Sequence, residues 1–409
     1  MTGTTVMLLL AGHATSQTTA GATVAAQQDQ AGDVVSTQTL TVIENDGLTS
    51  ADGQATGNSL VTGNAGLAAD VTSTQVVHGT IRAAAAILGA NTGAEDLSLG
   101  TPVYASTQAI GNYATSVADQ GDLAVHGVQT GSGPLVQAKT DIQAPNNAIY
   151  VSGEGEADAE VNHAAFQVTQ GRFVSDYSQT SASDARADVS ATVHYSPSPN
   201  LYKAEAANNS YTSLSDDRGS QEHTVVQSQT GSTIARSEVY GGNLWQTAAE
   251  ADTVANTVDL QNQGGSLVVD NRQVQSGAVQ AQAVVQADEY GQAFATASGI
   301  GNNLAAGNND VYVRLDNDQL SSGGVDVIAS FQGNDGYDGA VTADAVGNQA
   351  LSYACAECRA DYGVNSSQVN DSDVNATATA AVAKGRSMVS TAHATGNSAT
   401  YYVSAGSSQ

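Results

Sequence analysis

The 409-residue chain reads as an all-β protein, a repetitive β-solenoid (β-helix) of about eight units of roughly 46–54 residues. Three observations predict this. First, an asparagine and a glutamine recur at fixed spacing. Asn58 and Gln75, Asn112 and Gln129, Asn256 and Gln273, and Asn302 and Gln319 are each 17 residues apart. Gln179 and Asn208, Gln227 and Asn256, Gln273 and Asn302, Gln319 and Asn348, and Gln368 and Asn397 are each 29 apart. Second, short segments between these residues alternate apolar and polar side chains, the period of a strand. Third, the composition is small and polar: aromatics are 5% and charged residues 13%. Such a set cannot fill a wide core, but it fills a thin one in which strands lie close.

The N-terminus differs from the rest of the chain. Val6 to Ala11 is a short apolar run, and Gly12 to Gln30 is small and polar. Residues 1–26 therefore read as a signal-like or disordered segment without a basic start, and 27–409 as the repetitive domain. Leu9-Leu10-Ala11-Gly12 is similar to a lipobox, but His13 stands where the lipidated cysteine belongs, so no lipid anchor is expected. No stretch of 18 apolar residues exists, and no transmembrane helix is expected.

The unit is clearest from Gln273. Ala278 to Ala287 and Asp310 to Leu315 alternate strongly and Gln292 to Ser298 weakly, with Gly-Asn and Asn-Asn steps between them. Asn58, Asn112, Asn146 or Asn147, Asn208, Asn256, Asn302, Asn348 and Asn397 count eight units. Gln75 to Asn112 is 37 residues, which implies an insertion of eight. Pro197 and Pro199 predict a loop leaving the strand path.

Two roles fit the recurrent residues Asn58, Asn112, Asn208, Asn256, Asn302, Asn348, Asn397, Gln75, Gln129, Gln179, Gln227, Gln273, Gln319 and Gln368. A primary amide both donates and accepts, so identical amides stacked about 4.8 Å apart can bond along the stack. Alternatively, Gly-Asn is a turn dipeptide, and glycine precedes Asn at 57, 111, 301, 347 and 396. Eight units of this length also fit an eight-bladed β-propeller. The solenoid is preferred, because Trp245 and four Phe are too few to pack propeller blades.

With 40 acidic against 12 basic residues the net charge is −28. Phosphate binding needs Lys and Arg stripes, so nucleic acid is a poor partner, as is an anionic membrane surface. Cys355 and Cys358 lie in a unit carrying three extra residues, and a local disulfide is expected there. The seven histidines show no metal spacing, no phosphate loop is present, and no cofactor is expected. Glu154, Glu156, Asp158 and Glu160 would share one face of a strand, either as a cation- or amine-binding strip or, preferably, as a solvated edge that blocks sheet pairing. Gly333 to Gly339 is weakly similar to a calcium-binding turn. Nothing marks an enzyme, although β-helix carbohydrate enzymes scatter their carboxylates between coils.

Ala55-Thr56-Gly57-Asn58-Ser59, Ala394-Thr395-Gly396-Asn397-Ser398 and the stretch Ala31 to Val42 together resemble the holdfast anchor protein family HfaD of stalked alphaproteobacteria. That resemblance implies an exported protein of the outer membrane or cell surface, working with the companion anchors HfaA and HfaB to hold an adhesive polysaccharide. It brings no catalytic residues. The sequence reading is thus a structural adhesin, in which rows of polar residues and Tyr faces meet sugars at many weak sites. A self-associating filament subunit like curli is the second reading. A β-helix that binds or degrades polysaccharide is the third.

Overall fold

A computed structural model describes residues 21–89, 97–216, 219–310, 312–354 and 361–403. Cys355 and Cys358, and residues 1–20 of the N-terminal segment, lie outside the described residues. The strand Ala22–Gln30 crosses the boundary drawn after residue 26.

The chain winds as a parallel β-solenoid. One coil shows the pattern. The strand Ser266–Gln275 runs along one wall, the chain turns at Gly277, and the long strand Val279–Asn308 makes the rest of the coil. The corresponding strands of successive coils pair in parallel, forming one sheet of eight strands and one of thirteen. Propeller blades are antiparallel, so the all-parallel pairing sets the propeller aside. Register is held by identical residues: Gln227 pairs with Gln273 and Gln273 with Gln319, while Asn256 pairs with Asn302 and Asn302 with Asn348.

The inward residues are small, as the composition requires. Along Val279–Asn308 the inward set is Val279, Ala281, Ala283, Val285 and Ala287, then Ala293, Ala295 and Ala297, then Leu304 and Ala306. The alternation is interrupted at Asp288–Gly291 and again at Gly301 and Asn302, which are both buried. The pairing skips Gly301 and resumes in the same register at Asn302, so the corner is turned within one strand. Two separate hydrophobic compartments result. The larger holds the Ala and Val rows. The smaller holds Leu267, Val269, Leu304, Ala306, Val313 and Leu315, and further toward the N-terminus the rings of Phe166, Phe173, Tyr177 and Tyr211.

Irregular lengths are absorbed at corners. The insertion after Gln75 includes the short strand Leu97–Gly100, which pairs with Leu135–Ile149. Pro197 and Pro199 do not leave the strand path. They lie within the strand Asp184–Asp216, at a shift of register between Ser196 and Pro199. A bulge accepts residues that lack a ladder donor, which is why proline is tolerated there.

Candidate functional site

The recurrent amides form the partition between the two compartments. Asn58 donates to Oδ1 of Asn112, Asn112 to Asn162, Asn162 to Asn209 and Asn209 to Asn256, each at 2.8 Å. Asn256 continues to Asn302 at 2.8 Å, and Asn302 to Asn348 and Asn348 to Asn397 at 2.7 Å. The glutamines run the other way. Gln75 donates back to Gln28, and the column continues through Gln129, Gln179, Gln227, Gln273, Gln319 and Gln368, all at 2.7–2.8 Å.

The second amide hydrogen explains the intervals. Asn256 donates to the carbonyl of Val274, next to Gln273, at 3.0 Å. Gln273 donates to the carbonyl of Asn303, next to Asn302, at 2.9 Å. A peptide carbonyl only accepts, so each side-chain nitrogen must face it, and the direction of both columns follows. Each amide thus caps a peptide carbonyl beside the other column, 17 or 29 residues along. Two sequence expectations need correction. Asn162 and Asn209 occupy the column, whereas Asn208 points into the neighbouring turn, bonding to Ser232 and Thr233. Asn147 bonds to the carbonyl of Ile43 and is likewise outside the column. Gln28 joins the glutamine column although the spacing does not single it out. The corner accepts Val161, Asn208 and Ala255 before the asparagine, so glycine is not what these corners share; the asparagine is.

The acidic run lies on the strand Gly153–Thr169, with Glu154, Glu156, Asp158 and Glu160 on the outward face and Ala157 and Ala159 inward. This is not an edge: the strand pairs on both sides, with Val103–Asp119 and Asp184–Asp216. Burial, reinforced by the charge of Glu160, raises the Asp158 carboxyl to about 6. Gln108 donates to Asp158 at 3.1 Å, and His163 meets Glu160 at 2.8 Å. Among the described residues no group of three or more His, Cys, Asp or Glu is placed to hold a metal.

Inside the smaller compartment His223 is buried, with Nδ1 2.8 Å from Ser175 Oγ and 3.1 Å from the Tyr211 hydroxyl. Its Nε2 lies 2.6 Å from Oε1 of Gln221, an oxygen that only accepts, so Nε2 carries the proton. Burial pushes the imidazole down to about 3. This Ser–His contact is sealed from solvent and serves packing. Tyr177, Tyr202, Tyr211 and Tyr290 are also buried, whereas Tyr104, Tyr150, Tyr337, Tyr401 and Tyr402 are exposed.

One external corner differs in character. Asn243, Glu289, Asp335 and Lys384 stack in register across four coils. Asn243 donates to Glu289 at 2.7 Å, and Lys384 pairs with Asp335 at 2.8 Å. Arg386 clasps Asp338 and lies 5.5 Å over the Tyr337 ring. The carboxylates of Gly333 to Gly339 are therefore tied to cations, an arrangement unlike a calcium turn. Trp245 meets Tyr337 edge-on, with ring centres 6.0 Å apart, beside a cleft of about 610 Å³.

A family model, holdfast attachment protein D (HfaD), matches residues 43–324. The chain belongs to the HfaD family. It is thus a holdfast attachment protein, and the HfaD family is one of adhesion. No curated protein and no solved structure matches the chain. In the described residues no helix is long and apolar enough to cross a membrane.

Proposed function

We propose that this HfaD protein is an exported rod of the outer envelope that anchors the holdfast polysaccharide mechanically, together with HfaA and HfaB. The observation that carries this reading is the pair of unbroken amide columns. Stretching or slipping the rod would leave buried donors and acceptors unpaired in every coil, each costing about 1–3 kcal/mol. A load-transmitting element needs that kind of cooperative stiffness, and the wide flat faces supply repeated polar contacts for a polymer. The net charge of −28 opposes indiscriminate sticking between copies. The test is deletion in a stalked bacterium followed by measurement of adhesive shed into the medium. Shedding is expected, and cells that keep their adhesive would refute the anchor.

A second reading, head-to-tail self-association, is favoured by the polarity of the columns. Among the described residues the Asn column begins on the carbonyl oxygen of Asn58 and ends on the amide nitrogen of Asn397. The Gln column begins on the nitrogen of Gln28 and ends on Oε1 of Gln368. A second copy stacked in register therefore meets donor with acceptor in both columns. Gln28 to Asp33-Val34 and Gln368 to Asp373-Val374 also have the same spacing. Protein that stays monomeric at high concentration, with no fibrils by electron microscopy, would reject this second reading.

A further inference from the structure

We propose that the corner cleft between Trp245 and Tyr337 is a saccharide-binding subsite that takes a chain of pyranose rings. The proposal deepens the attachment reading and rests on it for the chemical class of the ligand. Trp245, Gly291, Tyr337 and Arg386 occupy one phase of successive coils. A Cβ at Gly291 would lie 2.9 Å from the Trp245 ring, so the glycine is what lets the indole lie back across the next coil and reach Tyr337. Both rings stay open to solvent, Trp245 55% exposed and Tyr337 49%. Few other large rings in this chain are left so open, and leaving two together sacrifices apolar burial that the fold achieves elsewhere.

The surroundings match the two sides of a sugar. The ring faces suit the C–H face of a pyranose, and the rim supplies the hydrogen-bonding groups that fix orientation. Glu289 accepts from Asn243, Asp335 is held by Lys384, and Asp338 by Arg386, so the rim groups are positioned before any ligand arrives. The register column Asn243, Glu289, Asp335 and Lys384 spans three coil steps, about 14 Å at the usual strand spacing. That length runs beside an oligosaccharide rather than a single ring. The cleft floor is closed by Tyr290, packed edge-on against Phe331 at 4.9 Å, and Gly336 leaves room for its ring.

Trp245 is the only tryptophan in the chain, so its fluorescence reads this site directly. The intact protein is titrated with hexasaccharides of N-acetylglucosamine, of glucosamine and of glucose. A saturable change in emission with at least one of them is expected, and Tyr337→Ala, which retains the indole, should weaken the apparent affinity about tenfold. Circular dichroism checks that this exposed substitution leaves the fold intact. No saturable change with any of the three, or a change indifferent to Tyr337→Ala, overturns the proposal. A cellular arm separates it from the anchor reading. If a deletion strain sheds adhesive while a Trp245→Ala/Tyr337→Ala strain holds it fully, the cleft fails and the anchor stands. If the deletion strain holds its adhesive, the anchor fails and the titration alone decides the cleft.

Discussion

Asn256 and Asn302 are joined amide to amide at 2.8 Å, and Asn256 also caps the carbonyl of Val274 at 3.0 Å while accepting from Asn209. Three hydrogen bonds thus converge on one buried side chain. Asn256→Ala leaves one N–H of Asn209 and Oδ1 of Asn302 without their column partner and removes the side-chain donor to the Val274 carbonyl, all in the buried interior. A loss of about 2–5 kcal/mol is expected, against less than about 0.5 kcal/mol for the exposed Gln280→Ala. Denaturant unfolding of the two variants measures the difference. Equal midpoints would mean that the column contributes nothing to stability.

The glutamine column predicts a charge effect. Gln273 donates to Gln227 and to the carbonyl of Asn303. Gln273→Glu removes both N–H donors and leaves only the single O–H of a protonated carboxyl to face the two acceptors. The buried carboxyl keeps its proton in the folded state, so its folded pKa stands above the unfolded one. The variant should therefore lose stability as pH rises from about 4 toward 7, and recover on acidification. Unfolding midpoints relative to the parent protein at pH 4 and pH 7 check this; a variant penalised equally at both would exclude it.

The period is legible in the sequence because the two columns force identical residues to the same depth in every coil. The intervals of 17 and 29 are the walk from one column to the other, and the capped carbonyl is one residue further on. Asn162 is harder to recognise although it precedes Gln179 by the same 17 residues, since Val161 rather than glycine stands before it. Asn208 satisfies the interval of 29 by coincidence: that coil carries one more residue between its Gln and its Asn than the coils that follow it, which moves the column to Asn209. The corner cleft is hidden for a different reason. Trp245 and Tyr337 lie two full periods apart, and only stacking of coils brings them together; their shared phase is the available signal. The interior position of the acidic strand depends on which strands flank it, and alternation within a single segment carries no such information.

The ring cluster predicts where the rod is most sensitive to loss of volume. Phe166 lies 5.6 Å from Phe173 and 5.5 Å from both Tyr177 and Tyr211. Elsewhere the inward residues are mostly Ala and Val, whose truncation removes little. Phe166→Ala should cost about 3–5 kcal/mol, more than Val285→Ala in the Ala-rich compartment. Thermal unfolding of both variants is the measurement. A smaller loss for Phe166→Ala would show that the coils close over the space.

Asp158 predicts a stability gain on neutralisation. Burial raises its carboxyl to about 6 and Glu160 adds to the rise. An acid whose folded pKa exceeds its unfolded value costs stability above that window and less as pH falls from about 6 toward 4. Asp158→Asn should therefore stabilise the protein at pH 7 by roughly 1–2 kcal/mol and add little at pH 4. Denaturant midpoints at both values decide it. A destabilised Asn variant at pH 7 would show that the bond from Gln108 outweighs the cost of the buried charge.

His223 predicts the opposite response to acid. Its folded pKa lies near 3, below the ordinary 6.5, because burial excludes the charged ring. The unfolded chain takes up this proton first, so the contribution to stability is full above pH 6.5 and declines as pH falls toward 3. Nuclear magnetic resonance of the labelled imidazole should find a neutral ring at pH 5, protonated at Nε2. In His223→Gln the stability at pH 7 should fall, since Ser175, which already accepts from Tyr211, loses a well-placed acceptor, yet its decline between pH 6.5 and 4 should be shallower than that of the parent. A protonated ring at pH 5 in the folded protein would overturn the assignment of this side chain as a sealed, neutral packing element.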